Sequence, residues 1–195
     1  MKINELVKAA HENAVVKGWW QEERTYGELV ALMHSEVSEA LEDYRNGKQP
    51  NEVWYEYEFG GGTVEDFRTE LLFGDGDWVL GKPCGIPSEL ADVCIRIFDA
   101  AGKNGWGEAL HSWYGRVTVK WRVNSGLSFT DNLNIIHGNL TDCARADSWK
   151  EFNLAVVLQN VAELASYYDF DLDQAISEKM AYNATRPERH GGKVI

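Results

Sequence analysis

Four carboxylates in two acidic segments have the spacing of a divalent-cation site. Glu36 and Glu39 lie three residues apart in the first segment, and Glu89 and Asp92 have the same spacing in the second. Residues three apart share one face of a helix, so each segment can present both of its carboxylates together. Carboxylate oxygens are ligands that magnesium prefers. We therefore expect these four side chains to form one cage that holds magnesium and, through it, a nucleoside triphosphate.

The first acidic pair belongs to a helix that a capping box begins. Thr25 can cap it with Glu28 three residues on, and the apolar spacing continues to about Tyr44. Glu36 and Glu39 lie along one edge of the apolar stripe of this helix. Taken alone, such a pair is more typical of a solvated helix edge than of a metal site.

The second acidic pair belongs to a helix that opens near Pro87 and is apolar around most of its circumference. A helix of this kind is buried. Its narrow polar gap carries Glu89, Asp92, Arg96 and Asp99. Buried carboxylates must be paired or must coordinate a metal. The alternative to a metal site is an internal ion pair between Asp92 and Arg96, which are four residues apart, but that pair would leave Glu89 without a partner.

The composition limits the kind of protein. A chain of 195 residues suits one domain, with a loop-rich insertion from about residue 50 to residue 83 that has room for a short hairpin or a helical turn. A net charge of −12 disfavours binding to duplex nucleic acid, but it allows a triphosphate if divalent cations stand between the charges. No apolar run approaches ~18 residues, so we expect a soluble cytoplasmic protein without a membrane partner. Cys84, Cys94 and Cys143 are widely spaced and should be reduced thiols.

Two later segments of the chain align weakly with the two acidic segments. Residues 154–166 align with 90–102, which places Val156 under Asp92. We predict a degenerate second helix hairpin at about 130–168 that keeps the packing role and has lost the metal; coincidence between amphipathic helices is the alternative. The segment 134–145 aligns with the first acidic segment in three informative places, His137 with His34, Asn139 with Glu36, and Asp142 with Glu39.

The last helix ends at Pro187 and is followed by a basic tail. Lys179, Asn183 and Arg186 share one face of this helix. The basic tail suits a flexible clamp for phosphate groups. The alternative is a solvated, disordered tail. The basic residues of the tail that suit such a clamp are Arg189, His190 and Lys193.

Together these segments resemble the MazG-like nucleotide pyrophosphohydrolases. The resemblance rests on E-x-x-E followed by E-x-x-D, on the blocks H-E-N-A-V-V-K-G-W-W and E-E-R-T-Y-G-E-L-V-A-L-M-H-S-E, and on the ending K-M-A-Y-N-A-T-R-P-E-R-H-G-G-K. Two stretches depart from a compact member: 54–82 is long, and 106–170 separates the E-x-x-D helix from the closing helix. The second departure is what an internal duplication would produce, with one chain forming a bundle that compact members build from two.

The resemblance implies an all-α helical bundle and a set of site residues. The four acids would hold magnesium, with manganese as a substitute, and Lys179 and Asn183 would reach the phosphates or the sugar. His11 and Trp20 would contact the base, unless they are ordinary core residues. It also implies a homodimer or a higher homo-oligomer. The weaker phosphate candidates are Arg186, Arg189, His190 and Lys193.

The reaction that this resemblance implies is magnesium-dependent hydrolysis of a nucleoside triphosphate at the α–β linkage, which gives a monophosphate and pyrophosphate. Glu36 or Glu39 would take the proton of the attacking water. A dUTPase or a phosphoribosyl-ATP pyrophosphohydrolase of the same superfamily is the nearest alternative. A non-catalytic nucleotide sensor and a purely structural helical protein are the others. The preferred base and sugar stay open.

Overall fold

The computed structural model describes residues 1–73, 76–117 and 122–192, without the side chains of Phe73 and His190. Most of this part of the chain is helical, and a small antiparallel region separates the second and third helices. The helices are α1 (Ile3–Val16), α2 (Tyr26–Arg45), α3 (Ile86–Asn104), α4 (Gly107–Trp113), α5 (Phe129–Arg145), α6 (Lys150–Tyr168), α7 (Leu172–Thr185) and α8 (Arg189–Gly192). The strands are β1 (Trp54–Phe59), β2 (Gly62–Asp66), β3 (Glu70–Phe73), β4 (Asp77–Leu80) and β5 (Lys82–Cys84).

The start of α2 confirms the predicted capping box. Thr25 Oγ1 accepts a hydrogen bond from the Glu28 backbone N–H at 3.2 Å, and Glu28 Oε2 accepts one from the Thr25 backbone N–H at 2.6 Å. Two backbone donors that the helix leaves unpaired are thereby satisfied. The helix ends at Arg45, one residue beyond the predicted end.

The expectation of an all-α fold is wrong for the insertion, which forms two small antiparallel sheets. One has the order β2-β1-β5, and the other pairs β3 with β4. Trp54, Tyr55 and Tyr57 favour strand conformation and are buried in β1. Tyr57 donates a hydrogen bond from its hydroxyl to the Arg68 carbonyl oxygen, which ties β1 to the loop before β3. The glycine turns therefore connect strands rather than form an irregular loop.

The inserted sheet sets the start of α3. Trp54 pairs with Cys84 at the end of β5, and α3 begins two residues later. Gly85 makes this turn with a φ of 103°, and a Cβ there would lie 2.3 Å from the Glu52 carbonyl oxygen. Only glycine fits such a conformation next to another backbone. The position of the first acidic residue of α3 thus depends on the sheet.

The central helix of the bundle is α3, which contacts α1, α2, α4, α6 and α7. Twelve of its residues are buried, including Leu90, Val93 and Phe98. This confirms that the helix with the apolar circumference lies inside the protein. Its acidic positions therefore lie among neighbouring helices rather than in bulk solvent.

The second helix pair, α5 and α6, packs on the first. Helix α5 lies on α2, and α6 lies on α3. His34 and His137, which the internal alignment equates, stack with ring centroids 5.1 Å apart and planes 8° apart, and their Nδ1 atoms are 2.8 Å apart. A two-fold relation between the hairpins would bring equivalent residues together in this way. The duplication itself stays a prediction.

The cysteines and the helix lengths also bear on the sequence predictions. Cys84, Cys94 and Cys143 are buried and form no disulfide, which confirms the prediction that they are free thiols. In the ranges that the structure describes, no helix is long and apolar enough to cross a membrane.

Candidate functional site

Three of the four predicted acids meet between α2 and α3. One carboxylate oxygen from each of Glu36, Glu89 and Asp92 lies within 4.8 Å of the other two. Magnesium with bonds of 2.0–2.1 Å places opposite ligands about 4.2 Å apart, so a shift of less than about 1 Å would close these oxygens around the ion. The donor set, three carboxylates, matches the oxygen ligands that a hard cation takes. The geometry therefore fits a divalent cation.

The fourth acid, Glu39, is not part of this group. It lines the same cleft but is exposed, whereas Glu36 is 5% exposed. Residues three apart differ by about 60° around a helix, and that angle turns Glu36 toward α3 while Glu39 stays on the solvent side. The predicted cage of four carboxylates is thus a cluster of three. The solvated-edge interpretation holds for Glu39 and is wrong for Glu36.

Two basic side chains neutralise part of the cluster. Lys179 on α7 places its Nζ 3.0 Å from Asp92 Oδ2 and 3.5 Å from Glu89 Oε1. Arg96 donates from Nε to Glu36 Oε1 at 2.5 Å. The predicted alternative, an ion pair between Asp92 and Arg96, is therefore not the pairing in the structure. Arg96 lies on the Glu36 side of the cluster because α2 packs against α3.

The charge state of the cluster follows from burial. Burial raises the pKa of Glu89 to about 7, although the charge of Lys179 opposes this. Burial also raises the pKa of Glu36 against the opposing charge of Arg96. For Lys179, burial alone would lower the pKa, but the charges of Asp92 and Glu89 outweigh it and raise that pKa. Burial thus favours the neutral form of the two glutamates, whereas the neighbouring acids favour the charged form of Lys179.

Asn183 gives an independent sign that the cluster takes a ligand. Its side chain is 8% exposed, and Nδ2 lies 3.5 Å from Asp92 Oδ1. Its Oδ1 has no hydrogen-bond partner among the described residues. A buried acceptor without a partner costs about 1–3 kcal/mol. A water molecule held by a cation in the cluster would supply the missing donor.

The cluster opens into a cavity of about 340 Å³ between α1, α2, α3 and α7. The cavity also contains Asp99, further along α3. A cavity lined by both acidic and basic side chains suits an anion that binds together with a divalent cation: the acids hold the cation and the basic side chains contact the anion. The basic side chains that line it are Arg24, Lys82, Arg96, Lys179 and Arg186.

The other predicted substrate residues divide into two groups. Lys179, Asn183 and Arg186 line the cavity, as their shared helix face predicted. Arg189 does not line it, because its guanidinium lies 3.2 Å from the Glu22 carboxylate and 3.3 Å from the Gly18 carbonyl oxygen. That contact anchors the tail to the end of α1. The side chain of His190 and the whole of Lys193 lie outside the described residues.

His11 and Trp20 are near the cavity but do not line it. His11 Nδ1 lies 2.7 Å from Asp99 Oδ1, and Trp20 Nε1 donates to the same oxygen at 2.8 Å. Both are half-buried. Both therefore bond to an acid that lines the cavity. That they contact a base stays a prediction.

Several cavity residues were missing from the sequence-based site. Asp99 could have been found, because it follows Asp92 by seven residues in the polar gap of α3 and therefore shares its face. Arg96 occupies the same gap but was assigned only to an ion pair. Arg24 and Lys82 lie in a loop and a short strand, where no periodicity indicates the direction of the side chain.

Comparison of the chain with protein-family models, curated proteins and solved structures found no match in any of the three. The chain is mostly helical, and its acidic cluster lies in a cavity that is also lined by basic side chains. The resemblance to the MazG-like pyrophosphohydrolases therefore stays a prediction from the residues quoted above.

Proposed function

We propose that the protein is a magnesium-dependent nucleoside triphosphate pyrophosphohydrolase. Water would attack at the α–β linkage, and the products would be a nucleoside monophosphate and pyrophosphate. The observation that carries this proposal is the cluster of Glu36, Glu89 and Asp92 beside the unpaired Asn183 Oδ1. It supports the metal site that the resemblance implies. Magnesium bound there would supply positive charge for the triphosphate and acidify the attacking water.

The basic side chains of the cavity have the chemistry needed for the phosphates. Arg24 and Arg186 offer planar donor pairs for phosphate oxygens, and Lys82 offers a point charge. In a partly enclosed cavity such donors stabilise the charge that develops on the departing pyrophosphate. Arg186 follows the end of α7, Lys82 lies on β5 and Arg24 lies in the loop before α2, so three separate segments bring positive charge to the cavity that contains the acidic cluster.

Glu39 is the better candidate for the proton acceptor. Glu36 is buried, and its Oε1 already accepts a hydrogen bond from Arg96. Glu39 lines the cavity, is exposed, and forms no ion pair or hydrogen bond with the described residues. A general base must reach the proton that it takes, and a carboxylate without a partner can do so.

The direct test is a turnover assay with purified protein, magnesium and a panel of canonical and modified nucleoside triphosphates. We expect release of pyrophosphate and monophosphate in equal amounts. Asp92→Asn should lower kcat/KM at least about 100-fold, because it removes a charged oxygen from the cluster. The matched control is Asp142→Asn on the exposed side of α5, which should keep full activity. Near-normal turnover by folded Asp92→Asn would overturn the assignment.

The ion pairs of Lys179 and Arg96 favour a structural role as the second candidate, and a nucleotide sensor is tested by the same measurements. Because these two side chains already neutralise much of the cluster, the acids could serve only to hold α2, α3 and α7 together. A structural protein of this kind predicts no change in melting temperature with magnesium plus any triphosphate. A sensor predicts a higher melting temperature without release of pyrophosphate. The two measurements together separate these functions from the enzyme.

A further inference from the structure

Asp99 has one carboxylate oxygen that forms hydrogen bonds within the protein and one that forms none with the described residues. Its side chain is 18% exposed. His11 and Trp20 both bond to Oδ1, and no described residue bonds to Oδ2. Gly102, one turn along α3, allows the close approach of α1, because a Cβ there would lie 2.4 Å from His11 Cβ. The carboxylate is thus fixed through Oδ1, which leaves Oδ2 free for a ligand in the cavity that Asp99 lines.

The distance from Asp99 to the acidic cluster suits a nucleotide. Asp99 follows Asp92 by seven residues in α3, which is about 10.5 Å along the helix axis and within about 20° of the same face. Both residues line the same cavity. A nucleotide with its phosphates at Asp92 would extend its base toward Asp99.

The walls near Asp99 suit a flat ring with both polar and apolar edges. Ala10, Asn13 and Ala14 of α1 line the same cavity, and Ala10 directly precedes His11, which bonds to Asp99. The Arg24 guanidinium lies over the Trp19 ring at 4.8 Å and interacts electrostatically with Asp99. One fixed acceptor and one donor therefore border a small apolar surface. This is the type of lining that orients small ligands.

We propose that Asp99 reads the base and selects triphosphates whose base carries an amino group over those of uracil and thymine. This rests on the proposed function and deepens it by naming the substrate class. A carboxylate oxygen accepts N–H groups and repels carbonyl oxygens, and an acidic side chain accepts from the N4 amino group of cytosine. Uracil presents a carbonyl at that position. Arg24 can donate to the ring nitrogen or carbonyl beside the amino group. The selection argues against a dUTPase.

The first test compares two substrates that differ chiefly at this position. We expect kcat/KM for CTP to exceed that for UTP by about tenfold or more, and likewise for dCTP over dUTP. Equal values, or higher values for the uracil nucleotides, would overturn the proposal. This comparison uses the unmodified protein, so it does not depend on how a variant folds.

The second test uses Asp99→Asn, which has the same shape. His11 and Trp20 would keep the amide oxygen on their side, so the NH₂ group would face the cavity and donate to a carbonyl. We expect the preference to reverse toward uracil, with an unchanged circular dichroism spectrum. A uniform loss with all bases would indicate that Asp99 only supports the fold. The Asp142→Asn variant should keep the original preference.

Equilibrium binding separates this proposal from the proposed function. The probes are the α,β-methylene analogues of CTP and UTP, which cannot be cleaved at that linkage, with magnesium present. Tighter binding of the CTP analogue to the wild type, lost or reversed in Asp99→Asn, would support base reading even if no triphosphate were hydrolysed. Equal binding of both analogues, or binding of neither, would overturn it. Hydrolysis of all bases at equal rates would leave the enzyme standing and remove the role of Asp99.

Discussion

Arg96 on α3 donates to Glu36 on α2 through a single carboxylate oxygen, with Nε 2.5 Å from Oε1. Glu36 is 5% exposed, whereas the Arg96 side chain is 36% exposed. The guanidinium therefore covers the buried acid from the cavity side. A cation that binds Glu36 must displace Arg96 or share the carboxylate with it.

Replacing Arg96 should increase the affinity for magnesium and lower the thermal stability of the metal-free protein. Arg96→Met removes a competing positive charge, and about 1 kcal/mol of repulsion corresponds to roughly fivefold tighter magnesium binding. The same change leaves Glu36 buried without a partner, so the melting temperature without metal should fall. Titration calorimetry and thermal melts with and without magnesium measure both effects. Arg45→Met, which breaks the exposed pair with Glu42, is the control and should change neither. Weaker magnesium binding by Arg96→Met would contradict this competition.

Lys179 should contribute strongly to stability. Its side chain is 5% exposed and interacts with both Glu89 and Asp92. Lys179→Met would leave two buried carboxylates without a cation, which costs about 3–5 kcal/mol of the free energy of unfolding. Urea denaturation measures this loss, and magnesium should restore part of it. Lys8→Met, at an exposed pair with Glu12, should cost less than about 0.5 kcal/mol. A similar small loss for Lys179→Met would mean that the acids are hydrated rather than paired.

Glu89 should make the metal-free protein less stable as the pH rises. Burial raises its folded-state pKa from 4.5 to about 7, so the native state favours the protonated form. The stabilisation is complete below pH 4.5 and is lost as the pH rises through 7. Glu89→Gln stays neutral and should lack this dependence. The free energy of unfolding of the wild type minus that of Glu89→Gln should therefore fall between pH 5 and pH 7.5, without metal. A flat difference would show that Glu89 is ionised throughout.

Gly85 should be required for the turn that begins α3. Alanine there would place a methyl group against the Glu52 carbonyl oxygen in a conformation that costs L-residues energy. We expect Gly85→Ala to lower the free energy of unfolding by at least about 2 kcal/mol and to reduce magnesium affinity, because Glu89 lies in the first turn of the helix. The control, Gly138→Ala, lies exposed in α5 with open space around it and should stabilise by about 0.5–1 kcal/mol. Equal effects of the two changes would argue against strain at Gly85.

The helices were predictable where local chemistry decides their position. Thr25 and Glu28 satisfy each other within one turn, so the start of α2 is a local matter. In the insertion the sequence allowed a short hairpin but did not predict two sheets, because Trp54 pairs with Cys84 and neither residue indicates the other. The glycines near the aromatic residues of β1 favoured a loop-rich segment.

The site was predictable only as far as helix faces allow. Burial of α3 correctly marked Glu89 and Asp92 as acids that need partners. Which of Glu36 and Glu39 turns inward depends on how α2 packs, and periodicity does not determine that. The role of Asp99 depends on His11, which is 88 residues away in the chain and on another helix. Contacts of this kind become visible only when the helices are assembled.

Lys179 and Arg96, the counter-ions of the acidic cluster, would make folding independent of metal binding. Many metal sites hold acids that repel one another until the ion arrives, so that the ion is needed for the fold. Here the positive charges come from the chain itself, because Lys179 pairs with Asp92 and Arg96 pairs with Glu36. If the proposed magnesium site is correct, these two cations can balance the acids during folding, and the metal can bind afterwards. A chelator should abolish turnover reversibly and leave the helices intact.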